Sequence, residues 1–323
     1  MKKQIRTIDL FAGCGGLSLG FASAGFKIVG AVDNWEPAVK TYRRNFTDHD
    51  IFDLDLSDVE KSVLELSKLK PDIIVGGPPC QDFSHAGKRD EKRGRADLTV
   101  SYAKIISNIK PEWFVMENVD QIIKSNKLTE AKEIFKKAGY GLTQIVLDAS
   151  LCGVPQKRKR FFLIGKLKVP DDFALTFIQE KIAKSPMSIR DYFGDDLDFD
   201  YYYRHPRNYN RRGVFSVDEP SPTIRGVNRP IPKGYPGHSL DKVKDLSTIR
   251  PLTTLERAQI QTFPKDFIFE GSKTEMEQQI GNAVPVNLAR FVASAIMEIV
   301  QNGVPLKNSP ATLFERESIA VLA

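Results

Sequence analysis

The chain has 323 residues, 41% of them hydrophobic, which is enough for one large domain or two smaller ones and excludes wholesale disorder. Lys and Arg number 47 against 41 Asp and Glu, a mild excess that permits a polyanionic partner and equally fits an ordinary solvated basic surface. Three dispersed cysteines (Cys14, Cys80, Cys152) form no CxxC pair, which argues against a disulfide framework and fits a reducing compartment.

The amino terminus, MKKQIRTIDLF, reaches glycine after a short apolar run, so it lacks the long apolar core of a signal peptide. No later run reads as membrane-spanning. The four histidines are scattered and show no zinc spacing, so no metal is expected.

Residues 5–165 alternate strand-like and helix-like segments. IRTIDLF reads as a strand, AGCGG as a turn, and LSLGFASAGF as the start of a helix. FKIVGAVD is the next strand and EPAVKTYRRNF the next helix. PDIIVGG and EWFVMENV are a third and fourth strand, and YGLTQIVLDA and KRFFLIGKL are further β candidates. The alternation predicts a mostly parallel sheet flanked by helices. After about Val169 the composition shifts to Asp, Tyr, Arg, Pro and Gly without a sustained period, which predicts a separate loop-rich module. Helical patterns return in TTLERAQIQTF and in NLARFVASAIMEIVQNG, where a glycine stops the last helix. Gly281, Asn282 and Pro285 read as the entry to that helix with a polar cap. The tail after Lys307 is weakly patterned.

The first turn, DLFAGCGG, puts Gly13, Gly15 and Gly16 between a strand and a helix, where a missing Cβ lets the backbone turn tightly and approach a ligand. Asp33 closes the second strand, about 20 residues on, the offset at which an acid accepts from a ribose diol. Asp55 follows the short run LDL, where a carboxylate suits an adenine amino group. Together these suggest a nucleoside-containing cofactor. Ser18 stands where GxGxxG has its third glycine, which disfavours a dinucleotide. A tight turn flanked by surface acids reads the same residues without a ligand.

Residues 75–84 read VGGPPCQDFS, an apolar strand ending in a single thiol on a doubly proline-stiffened turn. The next loop carries Lys88, Arg89, Lys92, Arg93 and Arg95 against Asp90 and Glu91, a basic setting that suits a thiolate nucleophile and an anionic polymer. The alternative for a lone cysteine is a small buried hydrophobe. Glu117, in MENV, falls at the same sheet edge, where it serves as an acid toward a ring nitrogen or pairs with Arg160. In QKRKR, Arg158 and Arg160 alternate, so a β pattern turns both to one side.

In this order DLFAGCGG, Asp33, GGPPCQDFS, MENV, GVPQKRKR, RPLTTLERAQIQTFP and QIGNAVPVNLA span residues 7–290. The chain resembles the DNA (cytosine-5)-methyltransferases of bacterial restriction–modification systems. The resemblance implies a Rossmann-like S-adenosylmethionine-dependent methyltransferase fold, with a catalytic domain over residues 1–180 completed by a returning helix at 272–305. A smaller target-recognition domain over 181–271 and a tail over 306–323 complete the expected division.

It further implies S-adenosylmethionine as cofactor, S-adenosylhomocysteine as product and carbon 5 of a flipped-out cytosine as acceptor. Cys80 would be the nucleophile, Glu117 would engage ring nitrogen 3, and Arg158 and Arg160 would serve at the base. Phe11, Gly13, Gly15, Gly16, Leu17 and Asp33 would surround the cofactor, together with Asn34, Asp55, Pro78 and Asn282. Ser84, His85, Lys88 and Arg95 would meet DNA. A cognate endonuclease, a monomer and a bacterial cytoplasm are also implied, with no membrane and no metal.

Three departures stand out. Ala86 replaces a second serine after Cys80, leaving His85 to prop the vacated base space. Arg95–Ala96 replaces an arginine–glycine pair. Leu151–Cys152 replaces an aspartate–tyrosine pair, and Cys152 is expected to pack rather than react.

In the region without family motifs, seven basic residues and two acids lie between Arg204 and Lys233, interleaved with aromatics. Arginine reads guanine edges or grips phosphate, and EPSPTIRGVNRP marks Arg225 and Arg229 as the DNA contacts. A tRNA cytosine methyltransferase is the enzymatic alternative, although its Cys-Phe-Thr signature is absent. A non-catalytic DNA-binding regulator and a nucleotide-cofactor oxidoreductase are the others.

Overall fold

The computed structural model describes residues 4–79 and 98–304. Strands and helices alternate as β1 (Arg6–Leu10), α1 (Gly16–Ser23), β2 (Lys27–Val32), α2 (Glu36–Asn45), β3 (Ile51–Phe52) and α3 (Val59–Ser67). Next come β4 (Ile73–Gly76), α4 (Leu98–Ile109), β5 (Trp113–Val119), α5 (Asn126–Lys137), β6 (Tyr140–Asp148), β7 (Gln156–Lys157) and β8 (Lys159–Leu167). Seven of the strands form one sheet in the order β3-β2-β1-β4-β5-β8-β6. Pairing from β3 to β5 is parallel, and β8 alone runs against its neighbours β5 and β6. The expected α/β architecture is therefore present. The apolar run of β4 and all but the first residue of β1 are buried because helices cover both faces of the sheet.

One face packs Leu17, Phe21, Val75 and Val115 against α10 (Val286–Asn302) through Leu288, Val292 and Ile296. The other packs Ile8, Leu10 and Ile74 against Tyr102, Ile106, Leu128 and Phe135 of α4 and α5. Cys152 lies in the first of these cores, where burial pushes its thiol up to about 12, as a packing role requires.

Beyond β8 the elements shorten: α6 (Leu175–Gln179), α7 (Ile189–Phe193), β9 (Tyr201–Tyr203), β10 (Val214–Ser216) and β11 (Ser221–Pro222). β9 and β10 form an antiparallel pair, and β11 runs parallel to β7, tying this region to the segment that leads into β8. Its core of Ile189, Tyr202, Phe215, Val217 and Ile224 continues without a break into Ile260, Phe263, Ile280 and Cys14.

α8 (Thr254–Ile260) and α9 (Lys273–Asn282) then bring the chain back. α9 opens on a capping box between Ser272 and Glu275, the S-x-x-E pattern of a helix start. Here the sequence reading needs correction. Asn282 does not cap the last helix but ends α9, and Pro285 stands at the cap of α10 without a side-chain hydrogen bond. Proline has no N–H to continue α9, and its fixed φ suits a helix start. A second correction concerns length. Taken as one run, Lys273–Asn302 is long and apolar enough to cross a bilayer, yet Pro285 divides it and half of its apolar window is buried.

Candidate active site

The glycine turn begins where β1 ends. Gly13 and Gly15 take positive φ of 55° and 97°, and Phe11 is held at 61°, a strained value for a bulky residue. The Gly13 N–H donates to Asp33 Oδ2 at 2.8 Å, and the Trp35 N–H donates to Oδ1 at 2.9 Å. The acid at the end of β2 is thus fixed by the turn it faces.

Beneath the turn, Ser18 donates to the fully buried Asp9 at 2.6 Å and Tyr42 donates to Ser18 at 2.9 Å. The Tyr42 hydroxyl lies 2.8 Å from His49 Nε2, and His49 Nδ1 lies 2.7 Å from Asp48. Burial, with Asp33 adding to it, pushes Asp9 up to about 7 against the opposing Ser18 hydrogen bond.

Two strands over, β5 and β8 place Glu117 and Arg160 on one face as diagonal neighbours. Arg160 Nε lies 2.9 Å from Glu117 Oε1, and both side chains are nearly buried. Burial raises the Glu117 carboxyl above its usual range, while Arg160 and Arg158 pull the other way. Next to Glu117, Asn118 donates to the Pro78 carbonyl at 2.7 Å, which anchors the turn that leads into Cys80.

Arg158 falls between β7 and β8 and is buried. Its guanidinium donates to the carbonyls of Ile224 at 3.0 Å, Gly281 at 2.9 Å and Ala283 at 3.2 Å. Gln156 and Gln261 run beside it, joined at 2.7 Å, with Gln156 also accepting from the Ile224 N–H.

These groups share one cleft of about 540 Å³. Its walls include Phe11, Gly13, Gly16, Leu17, Asp33, Asn34, Pro78, Glu117, Arg158, Arg160 and Asn282. Gly15 caps α1 beside the cleft without lining it. Asp55 does not line it either; it is exposed and accepts from the Ser57 N–H at 2.9 Å. Cys80, Ser84, His85, Lys88 and Arg95 lie outside the described residues. Trp35, Asn118, Gln278 and Gln279 also line the cleft. The sequence signals for them were a ring two residues after the Asp33 acid, the middle of ENV, and the two glutamines before the IGNAVP helix junction.

Among the described residues, no group of three or more His, Cys, Asp or Glu side chains could hold a metal ion. The donor set suits a nucleoside with a charged tail. Asp33 keeps lone pairs for a diol, Trp35 offers a ring face, and the buried Gln279 Oε1 has no partner.

A parallel sheet with one reversed strand, a glycine turn facing a strand-end acid, and a buried carboxyl–guanidinium pair across the same cleft define an α/β enzyme working at the carboxyl ends of its strands. Residues 5–298 match the family described as C-5 cytosine-specific DNA methylase. The chain belongs to that family and is a DNA (cytosine-5)-methyltransferase of the restriction–modification type. It is 60% identical over 294 residues to the Type II methyltransferase M.HindV of Haemophilus influenzae, covering 91% of this chain and 96% of that one. It is 57% identical over 292 residues to M.HgiDI of Herpetosiphon aurantiacus, covering 90% of this chain and 94% of that one. The crystal structure of the S. pombe Dnmt2 methyltransferase shares the fold, with a TM-score of 0.70 at 19% identity over 92% of this chain and 99% of that one.

Proposed function

We propose that the enzyme takes its methyl group from S-adenosylmethionine and places it on carbon 5 of a cytosine flipped out of duplex DNA, within a short specific sequence, through a covalent adduct with Cys80. The observation that carries this reading is the buried Glu117–Arg160 pair, which shares its cleft with the glycine turn and with the Pro78 turn that leads into the thiol.

S-adenosylmethionine, bound in the cleft, supplies an electrophilic methyl group. Carbon 5 of cytosine is too electron-poor to accept it unaided. The Cys80 thiolate adds to carbon 6 while Glu117 gives a proton to nitrogen 3, and carbon 5 becomes enamine-like and nucleophilic. Burial of Glu117 favours the protonated form this step needs. Arg160 orients Glu117 and the base. After transfer, carbon 5 gives up its proton to solvent water, the carbon–sulfur bond breaks to regenerate the thiolate, and nitrogen 3 returns its proton to Glu117. The target carbon is out of reach in a stacked duplex, so the base leaves the helix at a cost of a few kcal/mol.

In this reading the sheet with α9 and α10 binds the methyl donor, and the loop-rich module between them reads DNA. A monomer suffices for this chemistry, acting in a bacterial cytoplasm beside an endonuclease with which it forms no stable complex.

Cys80→Ala tests the route. It is expected to abolish transfer to duplex DNA while retaining DNA binding, and the wild type is expected to trap covalently on duplexes carrying 5-fluorocytosine. Full activity in the variant, or no trapped adduct with the methyl donor present, overturns the covalent step. Labelled transfer to tRNA instead of duplex DNA overturns the choice of substrate.

A further inference from the structure

The structure sorts the six arginines between Arg204 and Arg229. Arg212 pairs with Glu219 at 2.6 Å and covers the Phe215 ring at 4.2 Å. Arg204 turns inward to donate to the Thr223 carbonyl at 2.9 Å. Arg225 is partly buried and donates to the His205 carbonyl. Other arginines of the module are matched by acids, Arg190 with Asp200 and Asp218, and Arg250 with Glu256. Arg207, Arg211 and Arg229 differ. All three are exposed, and their side chains make no hydrogen bond or ion pair among the described residues.

All three lie within electrostatic reach of Arg225. After burial, Arg207, Arg229 and Arg211 are what lower the pKa of Arg225, and Arg229 with Arg225 lowers that of His205. Unmatched like charges repel one another in the free protein and become favourable only against a polyanion.

The segment that carries Arg207 and Arg211 is tied down by ring contacts and hydrogen bonds. The rings of Tyr203, His205, Tyr209 and Tyr235 touch in a closed circuit, with centroids 5.3 to 6.4 Å apart. Asp241 pins it with four bonds. Oδ2 accepts from the Tyr235 hydroxyl at 2.7 Å and the His238 N–H at 2.8 Å. Oδ1 accepts from the N–H groups of Gly213 at 2.8 Å and Val214 at 3.0 Å. Arg207 sits between two of the circuit's rings in the chain, and Arg211 follows closely. Val227, 56% exposed, stands between Arg225 and Arg229. Gripping phosphate needs only charge; fixing the angle of a guanidinium fork needs a platform of this kind.

We propose that Arg207, Arg211 and Arg229 read base edges in the major groove, each matched to a guanine, with Val227 against an apolar base edge. The inference rests on the duplex-DNA reading above and names the groups that choose the sequence. A guanidinium fork fits guanine O6 and N7 together, which a lysine ammonium does in a less constrained way.

The test uses the full chain on a pool of duplexes with randomised flanks around one cytosine, followed by bisulfite-type sequencing. Arg207→Lys, Arg211→Lys and Arg229→Lys keep the charge and lose the fork. Each is expected to relax one position of the consensus by roughly 5- to 150-fold while methylating the same cytosine. Arg212→Lys serves as the structural control, with a lower melting temperature and an unchanged consensus. An unchanged consensus in all three variants, or a loss of methylation at every sequence alike, overturns the proposal and makes these arginines phosphate grips or bystanders. A wild type that methylates nothing in the pool overturns the duplex reading instead.

Discussion

Asp9 and Glu117 are two buried carboxyls with different settings. Glu117 faces a cation across the cleft, whereas Asp9 faces a hydroxyl chain and has one oxygen without a partner. Burial therefore leaves Asp9 protonated in the folded chain up to about pH 7, against an ordinary carboxyl value of 3.8. Its folded pKa is the higher one, so its contribution to stability is complete below the unfolded value and is lost as pH rises through the folded one. Unfolding free energy should decline between those two pH values, by up to about 1.4 kcal/mol per pH unit from this group. Asp9→Asn keeps an acceptor for Ser18 and cannot ionise. It should flatten that decline in denaturant titrations across the same range. An unflattened slope means that Asp9 is already ionised in the fold.

Arg158 works at the scale of elements. Three carbonyls from two distant segments meet on its guanidinium, one from Ile224 just past β11 and two from Gly281 and Ala283 at the end of α9. Gly281 allows that approach, since a Cβ there would stand 2.2 Å from the Gly226 nitrogen. Arg158→Met keeps much of the apolar stem and strands the carbonyls, so it should destabilise the protein by ~3 kcal/mol or more in denaturant unfolding. Unaltered stability with transfer lost would place Arg158 in the chemistry instead. This role was not legible in the sequence. QKRKR shows two arginines at alternate positions, but which carbonyls lie nearby depends on segments 66 and more residues away. The strands were legible, KRFFLIGKL above all, because buried apolar runs carry their own signal. Helix α9 was harder to read: KTEMEQQIGN has few apolar residues, and only its capping box announces it.

At the scale of the whole molecule, the site is assembled from opposite ends of the chain. The glycine turn supplies one wall of the cleft, and side chains and backbone from residues 278–284 supply another, delivered after the loop-rich module. The motif strings named Glu117, Asp33 and Asn282, since each sits inside a short local pattern. They did not name the ring circuit pinned by Asp241, whose members are spread over residues 203–241 and meet only in the fold. The buried Arg257–Glu277 pair, 2.9 Å apart, joins α8 to α9 in the same unreadable way. A chain stopped before Lys273 lacks the second wall and is expected to retain no labelled S-adenosylmethionine in equilibrium dialysis. Retention at wild-type strength would show that the first wall is sufficient.

Synthesis runs from the amino end, so the glycine turn emerges long before the 278–284 segment that supplies another part of the cleft. By the time that segment appears, Arg207, Arg211 and Arg229 have already been made. An abandoned nascent chain therefore carries only part of the cleft.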